Sequence, residues 1–348
     1  MDMVRYQLNI YVLTAVAVIL GLVIPLPVIA LSGINPIESY GAVFRILARD
    51  PLTVFDTLVY ATPLMLIGAG LFIAFKANYW NIGAEGQMWI GALIATVIAL
   101  NLEAPGYIII PLLMVVSFLG GVGWAIVPAL LKVKYNVNEV LTTLLLNPVA
   151  VLIVDALLCG PLKDPKFLFN QTKLIPRSAW LPTIIPGTRV SAGLIIAIAG
   201  VLIAYVIMDK TILGYRIYCV GSSPQASRYA GIDISKVTLL AAIISGGLSG
   251  LSGMALLCGV HFRLLRGFSP GGLMMGFWGY GFLGIAVALL AGYRVLATAG
   301  TSLIFGFLTY LSYLMEISSG ISRHFMMVIE GITLLLVISL IRLVGEKV

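Results

Sequence analysis

Polar side chains able to bind a polar solute are concentrated in one short stretch of a very apolar sequence. Residues 78–87 hold two asparagine amides, one glutamine amide, one carboxylate and two glycines. The candidates for solute contact are Asn81, Glu85 and Gln87. Glycine lets a backbone leave regular helix, and irregular backbone at membrane depth must be covered by protein or line a watery cavity. We therefore expect this polar break, residues 78–87, to face inward with apolar helices around it.

Two interpretations of the polar break remain open. In the first, its side chains line or brace a solute path, because ionisable residues at membrane depth are costly and usually mark function. In the second, Glu85 bonds neighbouring helix ends while Gly83 and Gly86 allow tight packing. Asn147 is a further candidate for solute contact, since it lies two turns beyond Glu139 on a later apolar segment. For Glu139, the simpler interpretation is a carboxylate beside its own helix N-terminus.

Aromatic side chains offer a second kind of chemistry, because stacking on a nucleobase contributes about 1–3 kcal/mol per base. The candidates are Trp80, Trp89, Phe277, Trp278 and Tyr280. Trp278 is the best placed of them, since it lies in an apolar segment interrupted by glycine. Most aromatic residues of bilayer proteins belong to the core or the interface, so packing is the simpler interpretation for any single one.

The composition places these residues in a membrane protein. Of 348 residues, 60% are hydrophobic and only 10% are charged, and the mean hydropathy is +1.08. Soluble domains carry roughly 25% charged residues. The net charge of +7 comes from basic residues that stand singly or in pairs between apolar runs, a pattern typical of membrane edges and not of a nucleic-acid surface. The three cysteines show no metal-binding spacing and are interpreted as packing residues.

The predicted fold class is all-α, a polytopic transmembrane helical bundle forming a single domain over 1–348. A spanning helix needs about 20 mostly apolar residues, and the sequence holds about ten such segments. The predicted spans are 10–31, 55–75, a third that includes or follows the polar break and ends near 100, 107–131, 139–158, 190–208, 237–260, 271–290, 296–315 and 325–341. The span 237–260 is rich in small residues, which suits close helix contact.

Three polar segments lie outside these spans and set the expected orientation. They are 31–54 and 160–189, predicted as outer connectors, and 209–236, predicted as a cytoplasmic segment. Long connectors weigh little in orientation by positive charge. Once both connectors are set aside, the outside retains only Arg263, Arg266 and Arg323, while most other basic residues lie inside. We therefore expect both termini in the cytoplasm. The first apolar run lacks a small-residue cleavage site and is interpreted as a retained helix.

The motifs of ATP binding and of zinc-dependent hydrolysis are missing from the sequence. No stretch matches the phosphate-binding pattern G-x-x-x-x-G-K-[ST] or H-E-x-x-H, and the single match to G-x-S-x-G, at 267–271, lies at the edge of a predicted span. The two histidines, His261 and His324, lie at predicted helix edges. An intramembrane enzyme or a metal site is therefore disfavoured, and transport is the remaining function class.

Four ordered motifs then give the sequence a specific resemblance. They are NIGAEGQ at 81–87 with IGA at 90–92, VNEVLTTLLLN at 137–147, the set from GYR at 214–216 through VG at 220–221 to PQASRYAGI at 224–232, and GIAVALL at 284–290. This set resembles the permease subunits of nucleoside and simple-sugar ABC importers, within the wider group that includes ribose and branched-chain amino acid permeases. The sequence departs from the usual family pattern at Ser223, Gln225, Leu283 and Pro148, which bear on partner and substrate details.

The resemblance implies that the third motif docks on an ATPase, so residues 209–236 are here called the coupling segment. The candidate contacts are Arg216, Pro224, Ala226, Arg228, Tyr229, Ala230 and Gly231. The residues themselves predict a helix of about two turns, with Pro224 in its first turn, Ser222 or Ser223 as its cap and Gly231 at its end. Such a helix is unstable alone and needs a neighbour. The alternative is an ordinary soluble loop.

The resemblance also implies a function and a set of partners. We expect a multi-pass permease of the bacterial plasma membrane that moves nucleosides inward by alternating access. Its partners would be an ATP-binding cassette subunit, a second related permease in a heterodimer or homodimer, membrane lipid, and an extracytoplasmic solute-binding lipoprotein received by the outer connectors. The chain itself would hold no cofactor, no metal and no nucleic acid, with ATP used by the partner. The alternatives are import of a simple sugar such as ribose, or a secondary transporter that works without an ATPase.

Overall fold

The computed structural model describes residues 35–168, 170–265 and 279–320, and the single positions 23, 26, 27, 30 and 331. Within residues 35–168, 170–265 and 279–320 the α-helices are α1 (Pro36–Arg49), α2 (Asp56–Lys76), α3 (Ala84–Asn101), α4 (Gly106–Tyr135), α5 (Glu139–Cys159), α6 (Gly193–Lys210), α7 (Ile212–Ser222), α8 (Pro224–Tyr229), α9 (Ile234–Leu256), α10 (Tyr280–Leu290) and α11 (Ala297–Ser319). Short 3-10 helices cover Pro51–Phe55 and Arg177–Ala179, and a π-helical turn covers Leu257–His261. The predicted all-α class is confirmed.

The helix bounds agree with most of the predicted spans. Helices α2 to α6, α9 and α11 lie within a few residues of the segments chosen by apolar length. Six helices in the described part of the chain are long and apolar enough to cross a membrane. Helix α3 is not among them because its first turn is polar, and α10 has only 11 residues. The predicted first and last spans, 10–31 and 325–341, lie almost wholly outside the described residues.

Close packing of three helices forms the centre of the compact unit made of residues 61–302. The small-residue face of α9 lies against α3 and α4, where a side chain would not fit. A Cβ at Gly250 would overlap the carbonyl oxygen of Ser117 in α4, and one at Gly253 would overlap the carbonyl oxygen of Met88 in α3. The prediction that small residues in this span permit close helix contact is therefore confirmed.

The other compact unit comprises residues 1–60 and 303–348. Its described core is an apolar cluster that α1 shares with α11, with Tyr60 packed against it. The cluster consists of Val43, Tyr310, Leu311, Leu314 and Met315. Helix α1 begins where the Asn35 side chain accepts a hydrogen bond from the Ile37 N–H at 3.0 Å. An amphipathic helix thus occupies most of the connector 31–54.

The connector 160–189 is attached to the end of α9 by backbone hydrogen bonds. The bonds run from Thr172 N to Leu264 O (3.0 Å), from Ile175 N to Phe262 O (2.9 Å) and from Leu181 N to Cys258 O (2.8 Å). Trp180 stacks on Phe262 with ring centroids 4.1 Å apart. These bonds satisfy backbone groups that an irregular connector would otherwise leave unpaired, so the connector and the π-helical turn form one structure.

A tight turn lies at the tip of this connector. The Ile184 N–H donates to the Val190 carbonyl at 2.8 Å, which brings the two arms of the turn together. Between them Pro186 precedes Gly187, whose φ is +78°. Proline followed by a glycine with positive φ is the pattern of a type II turn. The tip is exposed, and backbone hydrogen bonds within residues 183–191 close it.

Candidate functional site: the polar break and the coupling segment

The polar break begins where α2 ends. Asn78 adopts a left-handed conformation with φ 55°, and the Tyr79 N–H returns to the Ala74 carbonyl at 3.0 Å. This arrangement satisfies the last carbonyls of α2 and turns the chain sharply away from the helix axis. The three candidate side chains that follow, Asn81, Glu85 and Gln87, are 0%, 0% and 1% exposed. The prediction that the break faces inward is confirmed.

Two amides of the break bond each other. Asn81 Nδ2 donates to Gln87 Oε1 at 3.0 Å, and Gln87 Nε2 donates to Asn81 Oδ1 at 3.0 Å. Asn81 Nδ2 also donates to the hydroxyl oxygen of Ser245 in α9 at 2.9 Å. The pair closes the chain into a ring between the end of α2 and the first turn of α3. Because buried polar groups need partners, the pair and Ser245 fix one conformation of the break.

Helix α5 holds the same stretch from a second side. Asn147 Oδ1 accepts from the Gly86 N–H at 2.9 Å, and Asn147 Nδ2 donates to the Ile82 carbonyl at 2.8 Å. One turn earlier, Thr143 Oγ1 accepts from the Ile82 N–H at 3.1 Å. Asn147 is 2% exposed, so its amide serves the backbone of the break in this conformation.

Glu85 joins α3 to the start of α10. Its carboxylate accepts from the Gly281 N–H at 2.7 Å, from the Gly279 N–H at 3.0 Å and from Trp89 Nε1 at 3.2 Å. The first two donors lie at the N-terminus of α10, where the helix dipole favours a negative group. A Cβ at Gly281 would overlap the backbone of Glu85, so the two elements are in direct contact. This carboxylate bonds a neighbouring helix end, as the second interpretation of the break expected.

Solute contact by these residues stays a prediction. Asn81, Glu85, Gln87 and Asn147 come together around the break, but each is buried and bonded to protein. A solute could reach them only in a conformation in which α3, α5, α9 and α10 have moved apart. Trp278, predicted as a stacking residue, lies outside the described residues.

The other candidate aromatics have different environments. Trp89 is fully buried, and Tyr280 is buried at the start of α10. Trp80 is 40% exposed, and its ring lies 4.9 Å from that of Phe75. Trp80 is therefore the described aromatic of the break that remains accessible.

Sequence reasoning missed two of the polar partners, Thr143 and Ser245. A signal for Thr143 was present, because Glu139, Thr143 and Asn147 recur every four residues and share one face of α5. Glu139 itself lies at the start of α5 beside the cap residue Asn138, and its carboxylate pairs with Lys132 Nζ at 2.9 Å. Ser245 had no signal beyond its place in the small-residue span.

The coupling segment contains the predicted short helix. Helix α8 covers Pro224–Tyr229, and the Ser223 hydroxyl accepts from the Ala226 N–H at 3.2 Å. At the other end, Gly231 has φ +75°, and the Ile232 N–H returns to the Ser227 carbonyl at 2.9 Å. The predicted cap and the predicted glycine end are both confirmed, and together they satisfy the helix ends in water.

The structure adds a helix, α7, that was not predicted within the coupling segment. Its buried residues Gly214, Ile217 and Val220 are spaced by three and lie on one side, so α7 is an amphipathic surface helix. The candidate ATPase contacts are exposed. They are Arg216 in α7, Pro224, Ala226, Arg228 and Tyr229 in α8, and Ala230 and Gly231 after it. Tyr229 is 95% exposed, a high value for a large aromatic side chain.

Comparison with known proteins gives a family match over most of the chain. The model of the family described as "Branched-chain amino acid transport system / permease component" matches residues 53–338. The glucose ABC transporter permease protein TsgB13 of Haloferax volcanii is 33% identical, over 88% of this chain and 81% of its own. The guanosine ABC transporter permease proteins NupP and NupQ of Bacillus subtilis are each 29% identical, over 93% and 74% of this chain and 92% and 80% of their own. No solved structure matches.

Proposed function

The chain belongs to the family of permease components of branched-chain amino acid transport systems, and we propose that it imports nucleosides. It is an integral membrane protein and the permease subunit of an ABC transporter. The proposal for nucleosides rests on one observation, the similarity over 93% of this chain to a permease named for guanosine.

Import of a simple sugar is the second candidate. It is favoured by the 33% identity to a permease named for glucose. The two candidate solutes differ in one group, because a nucleoside carries a base and a simple sugar does not. The test is ATP-dependent uptake of labelled guanosine, glucose and ribose into proteoliposomes that hold this chain, its ATPase and its second permease, with the binding protein outside. We expect guanosine to accumulate and unlabelled adenosine or cytidine to compete. Accumulation of ribose or glucose alone would contradict the nucleoside proposal.

The partners follow from the same membership. An ATPase subunit and a binding protein are implied for a permease of this family. We propose in addition that a second, related permease completes the membrane pore, which is supported by two guanosine permease proteins in one relative's organism. The complex would lie in the bacterial plasma membrane with both termini of this chain in the cytoplasm. Uphill uptake by this chain alone, driven by an ion gradient, would instead support a secondary transporter.

The proposed docking site for the ATPase is the exposed surface of α8 with its flanking residues. Arg228 and Tyr229 in α8 and Ala230 directly after it are exposed. Helix α8 is capped at both ends and carries a single buried side chain, that of Ser227. We expect Arg228→Glu combined with Ala230→Glu to abolish co-purification of the ATPase and ATP-dependent uptake. The matched control is Lys134→Glu, an exposed charge reversal near the end of α4. Full uptake by the double variant would refute docking at α8.

A further inference from the structure

Helix α7 touches the point at which α2 gives way to the polar break. Gly221, in the last turn of α7, lies so close to α2 that a Cβ would overlap the carbonyl oxygen of Lys76. The same Cβ would be 3.8 Å from the backbone nitrogen of Asn78, the left-handed residue that opens the break. Glycine is therefore required here for a close approach of two backbones.

The opposite end of α7 is fixed in the same way. A Cβ at Gly214 would overlap the carbonyl oxygens of Ile207 and Met208 at the end of α6. Between the two glycines, Ile217 is fully buried. Helix α7 thus rests on the ends of two apolar helices and is connected through Ser223 to α8. Close-packed contacts of this kind have low compressibility and transmit strain between the elements that they join.

A second connection reaches the break through α9. Helix α8 is followed after four residues by α9, whose Asp233 side chain accepts from the Lys236 N–H at 3.1 Å. Three turns further, Ser245 bonds Asn81. Helix α8 is therefore connected toward the polar break on both sides, through the contact of Gly221 with the end of α2 and through α9 by the hydrogen bond between Ser245 and Asn81.

We propose that Gly221 is a positioning residue, which transmits movement of the coupling segment to the polar break by direct contact with the end of α2. The inference rests on the proposed function, because an ATPase must move α8. An added methyl group at Gly221 would push α7 away from Lys76 and leave the surface of α8 unchanged. The ATPase should then still dock, while the polar break responds less to it. A misfolded chain would lose both docking and response.

The test measures movement of the break directly, without a solute. Trp80 is the exposed aromatic of the break, so Trp80→Cys in a chain whose three native cysteines are replaced by alanine gives a site for maleimide labelling. The labelling rate is measured in membranes holding the full complex, with and without ATP and vanadate. Gly221→Ala is compared with Gly123→Ala, since a Cβ at Gly123 in α4 meets nothing within 4 Å.

We expect nucleotide to change the labelling rate in the parent chain and with Gly123→Ala. With Gly221→Ala this change should shrink by about 2- to 30-fold while the ATPase still co-purifies. If Gly221→Ala fails to reach the membrane, Ile217→Val loosens the same face of α7 and should also weaken the response. An unchanged response in both variants, or a parent chain that does not respond, overturns the proposal. A response without uptake of nucleoside or sugar would instead overturn only the proposed solute.

Discussion

Removal of the Glu85 carboxylate separates the two interpretations of the polar break. Glu85 is fully buried and accepts from two backbone N–H groups of α10 and from Trp89. Glu85→Ala leaves three donors without an acceptor, two of them buried and that of Gly279 partly buried. A buried donor without a partner costs about 1–3 kcal/mol before relaxation. After partial relaxation of the three donors, we expect a total of about 3–5 kcal/mol. We expect the free energy of unfolding to fall by that amount.

Glu85→Gln gives a graded comparison. Its amide oxygen can still accept from Gly279 and Trp89, but its NH2 group would face the Gly281 N–H, so one donor loses its acceptor. The expected loss is about 1–3 kcal/mol. The control is Glu103→Ala, which removes an exposed carboxylate and should change stability by less than about 0.5 kcal/mol.

The assay is thermal unfolding of the purified chain in detergent, followed by tryptophan fluorescence, with ATP-dependent uptake of the reconstituted complex measured in parallel. A loss of about 3–5 kcal/mol should lower the midpoint by roughly 5–10 °C. If Glu85→Ala melts within about 1 °C of the parent chain, the structural reasoning is wrong. Should that variant also lose uptake, the carboxylate would belong to the solute path.

Three further changes test other parts of the structure. Asn147→Ala removes one acceptor and one donor from the backbone of the break, and should lower stability by about 2–4 kcal/mol in the same melting assay. Gly250→Ala forces a methyl group against a carbonyl of α4 and should cost about 1–3 kcal/mol, whereas Gly123→Ala in open space should change stability by less than about 1 kcal/mol. Bonding to the Lys236 N–H and side chain lowers the pKa of Asp233. The ionised Asp233 carboxylate therefore stabilises the first turn of α9 at neutral pH, and this stabilisation is lost as pH falls through the lowered pKa. Amide exchange at 234–237, corrected for the intrinsic rate, should accelerate in acid. Asp233→Asn should remove this acid response.

Features encoded locally could be predicted from the sequence. Apolar runs bounded by polar or basic residues gave the helix bounds, because length and hydropathy are set within one segment. The glycine-rich face of α9 and the end of α8 at Gly231 were predictable for the same reason, since each depends on one residue type at one place. The inward orientation of the polar break followed from the cost of polar groups in lipid.

Long-range partners could not be predicted in this way. Asn81 bonds Ser245, which is 164 residues away, and Glu85 bonds Gly281, which is 196 residues away. A single sequence has no periodicity that relates such positions. The residue type glycine also does not indicate that its backbone N–H donates to a distant side chain. Helix α7 was missed because its three buried residues include Gly214, which does not register as apolar.

The tight turn at Pro186 and Gly187 offers a way to determine on which side of the bilayer the connector 160–189 lies. Exposed loop tips accept insertions, and a biotin-acceptor peptide after Gly187 would extend outward from a turn that backbone hydrogen bonds close. Streptavidin added to intact spheroplasts can reach this peptide only if the connector 160–189 lies outside. One such label would also place the far ends of the flanking spans α5 and α6 on the opposite side, because successive spanning helices alternate in direction.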